Sequence, residues 1–209
     1  MPRPGPILQV QALRYAYVGQ PALFADWSAS IGAGVTLLHG DTGSGKSTLL
    51  RLIAGAQTGA GRLTLTGIDL GADPAAYRRA VLWCDPASDA FDPLSARDCT
   101  ASLRAGDAGF DDAAWQALVD GFALAPHLDK PMYMLSTGSK RKVWLAAALA
   151  SGRALTLLDE PKGGLDAASI ACLMRALAHC AERRERAIIV ASAERLDGIA
   201  LAGVIELPG

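Results

Sequence analysis

The chain has no apolar stretch long enough to cross a bilayer. Runs such as 143–150 and 199–205 stop far short of the roughly 20 residues a spanning helix needs, although 51% of the 209 residues are hydrophobic. Net charge is also lacking. Twenty basic residues against 21 acidic ones leave −1, which excludes a broad electrostatic attraction to nucleic acid and makes any anion binding local. The cysteines, Cys84, Cys99, Cys172 and Cys180, have no C-x-x-C spacing and no histidine cluster around them. That pattern argues against a zinc site or a disulfide framework, and they read as small core residues. The opening MPRPGPILQ offers prolines and a glycine where a secretory signal needs unbroken apolar sequence, so the expected location is cytoplasmic. No linker, internal repeat or low-complexity segment divides the sequence. One domain with a sizeable core is expected, with any partner domain on another polypeptide.

Several short β-type runs precede residue 70, the clearest at 7–10, 35–38 and 62–66, separated by glycine-rich turns. From about 95 to 135 the character changes to alanines and leucines at helical spacing with turn signals at Ala105-Gly106-Asp107 and Pro126, which predicts a helical insert. Beyond it, 154–158 and 187–191 are short apolar runs of the kind that form buried parallel strands. Between them Ile170, Leu173, Met174 and Leu177 fall at i, i+3, i+4, i+7. Strand, helix, strand predicts an α/β core, and 204–207 offers a last strand before Pro208.

The strongest motif is G-x-x-x-x-G-K-S at Gly40, Asp41, Thr42, Gly43, Ser44, Gly45, Lys46 and Ser47, followed by Thr48, between an apolar strand and an apolar helix. Its glycines let the backbone curl so that N–H groups converge on phosphate oxygens, and the helix starting near Lys46 adds its positive end. Lys46 is expected to bridge β- and γ-phosphates, and Ser47 to present a hydroxyl to Mg²⁺. Farther on, ALTLLDEP ends a predicted buried strand in two carboxylates. Such a pair is costly unless it meets a cation. Asp159 is placed to hold Mg²⁺ through a water and Glu160 to act as general base on the attacking water, with Lys46 as its catalytic companion.

The order GDTGSGKST, LSTGS, LTLLDEP, GGLD resembles the ATP-binding subunits of ABC transporters over nearly the whole chain. The resemblance implies an α/β fold: a P-loop ATPase core with a mainly parallel sheet (1–94 and 136–209), an N-terminal antiparallel β subdomain and an inserted α-helical subdomain (95–135). It implies ATP and Mg²⁺ as cofactors. A Leu-Ser-Gly-Gly-Gln signature in that family caps the γ-phosphate held by the opposite subunit; here Ser136 and Gly138 of Leu135-Ser136-Thr137-Gly138-Ser139 match it. By the same resemblance Asp166 is the aspartate at the dimer interface and Tyr17 the ring that stacks on adenine, with Tyr15 a close competitor. At least one of Lys140, Arg141 and Lys142 is expected to hold the phosphate or an acidic group across the dimer, against the alternative of a solvated basic face.

The sequence departs from the family in three places. Asp85 stands nearest the position of a glutamine that touches Mg²⁺ and the membrane partner, and its carboxylate is expected to face the metal with Ser47 and Asp159. Thr137 and Ser139 soften the signature. Ala193 takes the place of the switch histidine, and His39, which abuts the P-loop, reads as structural. Slower hydrolysis, or heavier reliance on Glu160 and Lys46, follows from that loss. The implied function is an ATP-hydrolysing subunit that dimerises with itself or a related subunit around Mg-ATP and powers separate transmembrane permease subunits, peripheral on the inner face of the cell membrane. No nucleic acid and no metal other than magnesium is expected. The compact length resembles the small subunits of haem or cytochrome c maturation exporters. The alternative is a degenerate nucleotide-responsive module acting through dimerisation with little turnover.

Overall fold

A computed structural model describes residues 5–85 and 88–208. Four strands form an antiparallel sheet in the order β2-β1-β4-β5: β1 (Leu8–Ala16), β2 (Ala22–Ile31), β4 (Ala60–Leu65) and β5 (Ile68–Asp69). Five others form a parallel sheet in the order β6-β7-β8-β3-β9: β3 (Gly34–His39), β6 (Val81–Trp83), β7 (Leu155–Asp159), β8 (Ala187–Ser192) and β9 (Gly203–Glu206). This is the expected α/β arrangement. The expected strands are present with shifted ends, and β2, the longest strand, was not foreseen. Its sequence ALFADWSASI is dominated by small and polar residues because it is an edge strand that buries little.

β1 shows how sequence spacing sets backbone shape. Leu8 and Val10 are buried at period two, and the next buried residue is Leu13, three positions on. The register slips there, Ala12 taking φ +48°, a bulge that keeps the apolar side on the core. Gly61 lies opposite, where a Cβ would come within 2.7 Å of the Ala12 carbonyl oxygen.

Six helices complete the described chain: α1 (Lys46–Ile53), α2 (Pro74–Arg79), α3 (Ala96–Arg104), α4 (Asp112–Gly121), α5 (Thr137–Ala150) and α6 (Ala167–Arg183). Ser95, Asp111, Ser136 and Asp166 cap α3 to α6 through their side chains, each accepting from a backbone N–H three residues on. The segment between α4 and α5 contains only two short 3₁₀ turns, Ala125–His127 and Met132–Met134.

The central strands of the parallel sheet, β3, β7 and β8, are buried on both faces, as their continuous apolar sequences require. Val35, Leu37, Ile188 and Val190 face a cluster with α3 to α6. Leu38, Leu157, Ile189 and Ala191 face a second cluster with α1 and the antiparallel sheet. The cysteines follow expectation in part: Cys99 and Cys172 are buried, Cys84 and Cys180 half-buried, all four as free thiols. Burial pushes the thiols of Cys84 and Cys99 up, to about 12 and about 11.

Candidate functional site

Because β3, β6, β7 and β8 run parallel, their carboxyl ends lie along one edge of the sheet, where ligands of open α/β sheets bind. That edge gathers Gly40–Ser47 after β3, Asp85 after β6, Asp159 and Glu160 at the end of β7, and Ala193 and Glu194 after β8. An open cleft of about 730 Å³ is lined there by Tyr17, Lys46, Ser47, Thr48, Glu160 and Ala193 among others, within the range of small-molecule sites and large enough for a nucleoside triphosphate.

The loop before α1 is built by close approach and left-handed backbone. A Cβ at Gly40 would come within 2.6 Å of Ser44 Oγ, and Gly43 and Gly45 take φ of +89° and +95°. Gly45 supplies the α1 cap with no side chain, so no side-chain acceptor occupies the first-turn N–H groups. Lys46 is 6% exposed, and its Nζ donates to the carbonyls of Gly40 (2.6 Å) and Asp41 (2.9 Å). The buried ammonium is thus satisfied by carbonyls of its own loop. At the mouth, Tyr17 Oη and Thr48 Oγ1 are hydrogen-bonded at 2.7 Å. Tyr15 meets Tyr17 edge-on at 5.1 Å and packs on the core. Of the two tyrosines, Tyr17 is the one with its ring on the cleft.

Two carboxylates at the end of β7 have different surroundings. Burial raises the pKa of Asp159, opposed by a hydrogen bond from Ser47 and raised further by the adjacent Glu160 charge. Asp159 Oδ1 is buried without a hydrogen-bond partner among the described residues. An unsatisfied hard oxygen beside a serine hydroxyl fits a cation such as Mg²⁺, which takes few protein ligands and keeps the rest for water and phosphate. Glu160 is half-exposed; its Oε1 lies 3.5 Å from Lys46 Nζ and accepts from the Ala193 N–H at 3.0 Å. Residue 193 therefore reaches Glu160 through its backbone, a contact that reading side chains alone misses. Glu194, next in line, pairs with Lys162 at 3.0 Å.

Other candidates lie apart from the cleft lining. Asp85 pairs with Arg51 of α1 at 3.7 Å. Ser136 Oγ accepts the Ser139 N–H at 3.2 Å and donates to Ser139 Oγ, so the hydroxyl caps its own helix. A Cβ at Gly138 would sit 2.5 Å from the Gly164 carbonyl oxygen, which sets the start of α5 directly on the turn after β7. Asp166 caps α6 through Ser169 and pairs with Lys142 at 2.7 Å; that lysine, then the Ser169 bonds, hold its carboxyl well below the usual range. The three cations at the start of α5 form no free basic face. Lys140 pairs with Asp92 at 2.5 Å, Arg141 donates to the carbonyls of Glu160 and Gly163, and Lys142 takes Asp166. His39 is half-buried, its Nδ1 2.7 Å from Glu206 Oε2 on the neighbouring strand β9, a structural tie.

The family profile described as "ABC transporter" matches residues 25–163. A zinc import ATP-binding protein, ZnuC of Halorhodospira halophila, is 30% identical over 187 residues, 90% of this chain and 68% of that protein. A cytochrome c biogenesis ATP-binding export protein, CcmA of Zymomonas mobilis, is 35% identical over 174 residues, 83% and 72% of the respective chains. A solved structure described as an ATP-binding subunit of an ABC transporter superposes with a TM-score of 0.73 at 23% identity, over 88% of this chain and 79% of that one.

Proposed function

This chain belongs to the ABC transporter family of ATP-binding subunits, and we propose that it hydrolyses ATP in the cleft at the carboxyl edge of the parallel sheet to drive separate membrane-spanning subunits. The carrying observation is the convergence of Lys46, Ser47, Asp159 and Glu160: the Glu160 carboxylate lies 3.5 Å from the lysine of the loop. In this reading the N–H groups of Gly40 to Thr48 receive phosphate oxygens, and Lys46 trades the Gly40 and Asp41 carbonyls for them. Tyr17 offers its exposed ring to the base. Ser47 and Asp159 would hold Mg²⁺, which would supply positive charge against that of the phosphates. Glu160 accepts the proton of the attacking water, steered by the Ala193 N–H and by Lys46. In the same reading Asp85, after β6 on the same sheet edge and tied to Arg51, would add a further carboxylate towards the metal.

A second copy completes the site. Ser136 and Gly138 do not line their own chain's cleft, which supports a head-to-tail dimer in which the start of α5 meets the phosphate held by the partner, with Asp166 at the interface. The 95–135 insert is the surface offered to the permease. No helix among the described residues is long and apolar enough to cross a membrane, consistent with reaching the bilayer through those subunits. Import and export relatives match alike, which supports leaving the cargo and its direction to the partners.

With Ala193 lacking an imidazole, one donor to the γ-phosphate is missing and turnover is slow. The engagement of Glu160 by the Ala193 amide favours hydrolysis over a purely nucleotide-responsive module, since it holds a base beside the metal site. The test is steady-state ATPase of the chain with its co-purified permease: Glu160→Gln should lower kcat about 10²- to 10⁴-fold while ATP still binds. Equal turnover in the two proteins overturns the assignment of the base.

A further inference from the structure

Glu160 occupies a strained joint. Its φ is +41°, in the left-handed region that a residue with a Cβ enters only when its neighbours impose it. Two of its groups are held by the sheet edge and the loop. The N–H donates to the Ala191 carbonyl at 2.9 Å, and the carboxylate takes the Ala193 N–H and lies beside Lys46. The third, the carbonyl oxygen, accepts from the Gly163 N–H at 3.0 Å and from Arg141 Nη1 at 2.8 Å. The same Nη1 donates to the Gly163 carbonyl at 2.6 Å, so one guanidinium nitrogen clasps both ends of the turn.

Arg141 sits on α5, whose first residues lie against the same turn through Gly138 and Gly164. Gly163 makes room for the clasp: a Cβ there would collide with Arg141 Nη1, whereas its φ lies outside the left-handed range and would admit alanine. A permanent charge with planar, fixed donors suits the bridging of two carbonyl oxygens better than a mobile ammonium would.

We propose that Arg141 is a positioning residue that locks the backbone of Glu160 and so ties the aim of its carboxylate to the seating of the α5 N-terminus. The proposal rests on Glu160 being the general base. It gives the cation run at the start of α5 a role within its own chain: a displacement of that helix start is carried by the guanidinium to the residue that activates water.

The test uses the full chain with its permease and compares Arg141→Ala, Arg141→Gln and Gly163→Ala with Glu160→Gln. Gly163→Ala keeps the guanidinium but evicts it from its seat, and it remains informative if Arg141→Ala fails to fold. Both should lower kcat about 10- to 100-fold, with the KM for ATP within about twofold of the parent, as expected when only the base is misaimed. Arg141→Gln, which keeps a planar donor, should recover part of the loss. Independently of turnover, hydrogen exchange of the Gly163 amide without nucleotide should speed up about 10-fold or more in Arg141→Ala. Unchanged kcat in both Arg141→Ala and Gly163→Ala while Glu160→Gln is inactive, or unchanged Gly163 exchange, overturns the proposal. Full turnover in Glu160→Gln overturns the general-base reading and with it the catalytic part of this one, whereas the exchange experiment still reports whether Arg141 holds the turn.

Discussion

Two helix starts in this molecule face the same electrostatic problem and solve it differently. α1 begins at Gly45, which brings no side-chain cap, and its lysine folds back over the loop to two carbonyls. α5 begins at Ser136, whose hydroxyl already accepts a helix N–H, and its three cations are committed to Asp92, Glu160, Gly163 and Asp166. Neither first turn carries an acid. The α1 start thus has the arrangement of an open receptor for an anion, with no side chain capping its donors and its cation beside them. At α5 the end is self-capped, and its positive charge has become internal bracing. A helix N-terminus attracts anions in general, but what its first turn does with its own donors decides whether it holds one unaided.

Substitutions at each end sharpen the contrast. The largest effect is expected at α1: Lys46→Ala should weaken binding of a fluorescent ATP analogue about 10- to 100-fold, the value of a charge-assisted bond to phosphate. Undiminished affinity would break the comparison, since the open receptor would then be elsewhere. At α5, Ser136→Ala should leave nucleotide affinity of the isolated chain unchanged and lower stability by about 1 kcal/mol in denaturant titration, the usual loss of a side-chain cap. A fall in single-chain affinity instead would mean that α5 reaches its own nucleotide. The smallest effect is at Lys142→Met, which should return the Asp166 carboxyl towards the ordinary 3.8, read by NMR titration. Because the folded pKa lies below the unfolded one, the pair stabilises above about pH 3.8, and that contribution fades as pH falls towards the folded value. The variant should therefore lose the corresponding acid limb of its stability curve.

Much of the site was legible from residue order. The strand-to-helix context of GDTGSGKST and the two acids after an apolar run located Lys46, Ser47, Asp159 and Glu160, since such motifs encode their own local geometry. The bulge in β1 is visible as well, once the step from Val10 to Leu13 is noticed. Less was visible where contacts span distant segments. Arg141 and Glu160 are separated by 19 positions and meet only through a backbone carbonyl, and Ala193 acts through its amide, which every residue but proline possesses. Small, polar β2 carried too little apolar periodicity to be read, because an edge strand needs little.

By itself the sequence determined the loop that can cradle phosphate, the acids that can meet a metal and the α/β alternation, since each follows from short-range sterics and hydrophobic period. Tertiary structure decided where the remaining charges went. Parallel pairing brought the carboxyl ends of β3, β6, β7 and β8 to one edge, and the packing of α5 against the turn after β7 converted three apparently free cations into ties within the chain. The physical reason is range. A motif is settled within a few bonds of itself, while the partner of a long charged side chain depends on which distant segment packing sets within its reach.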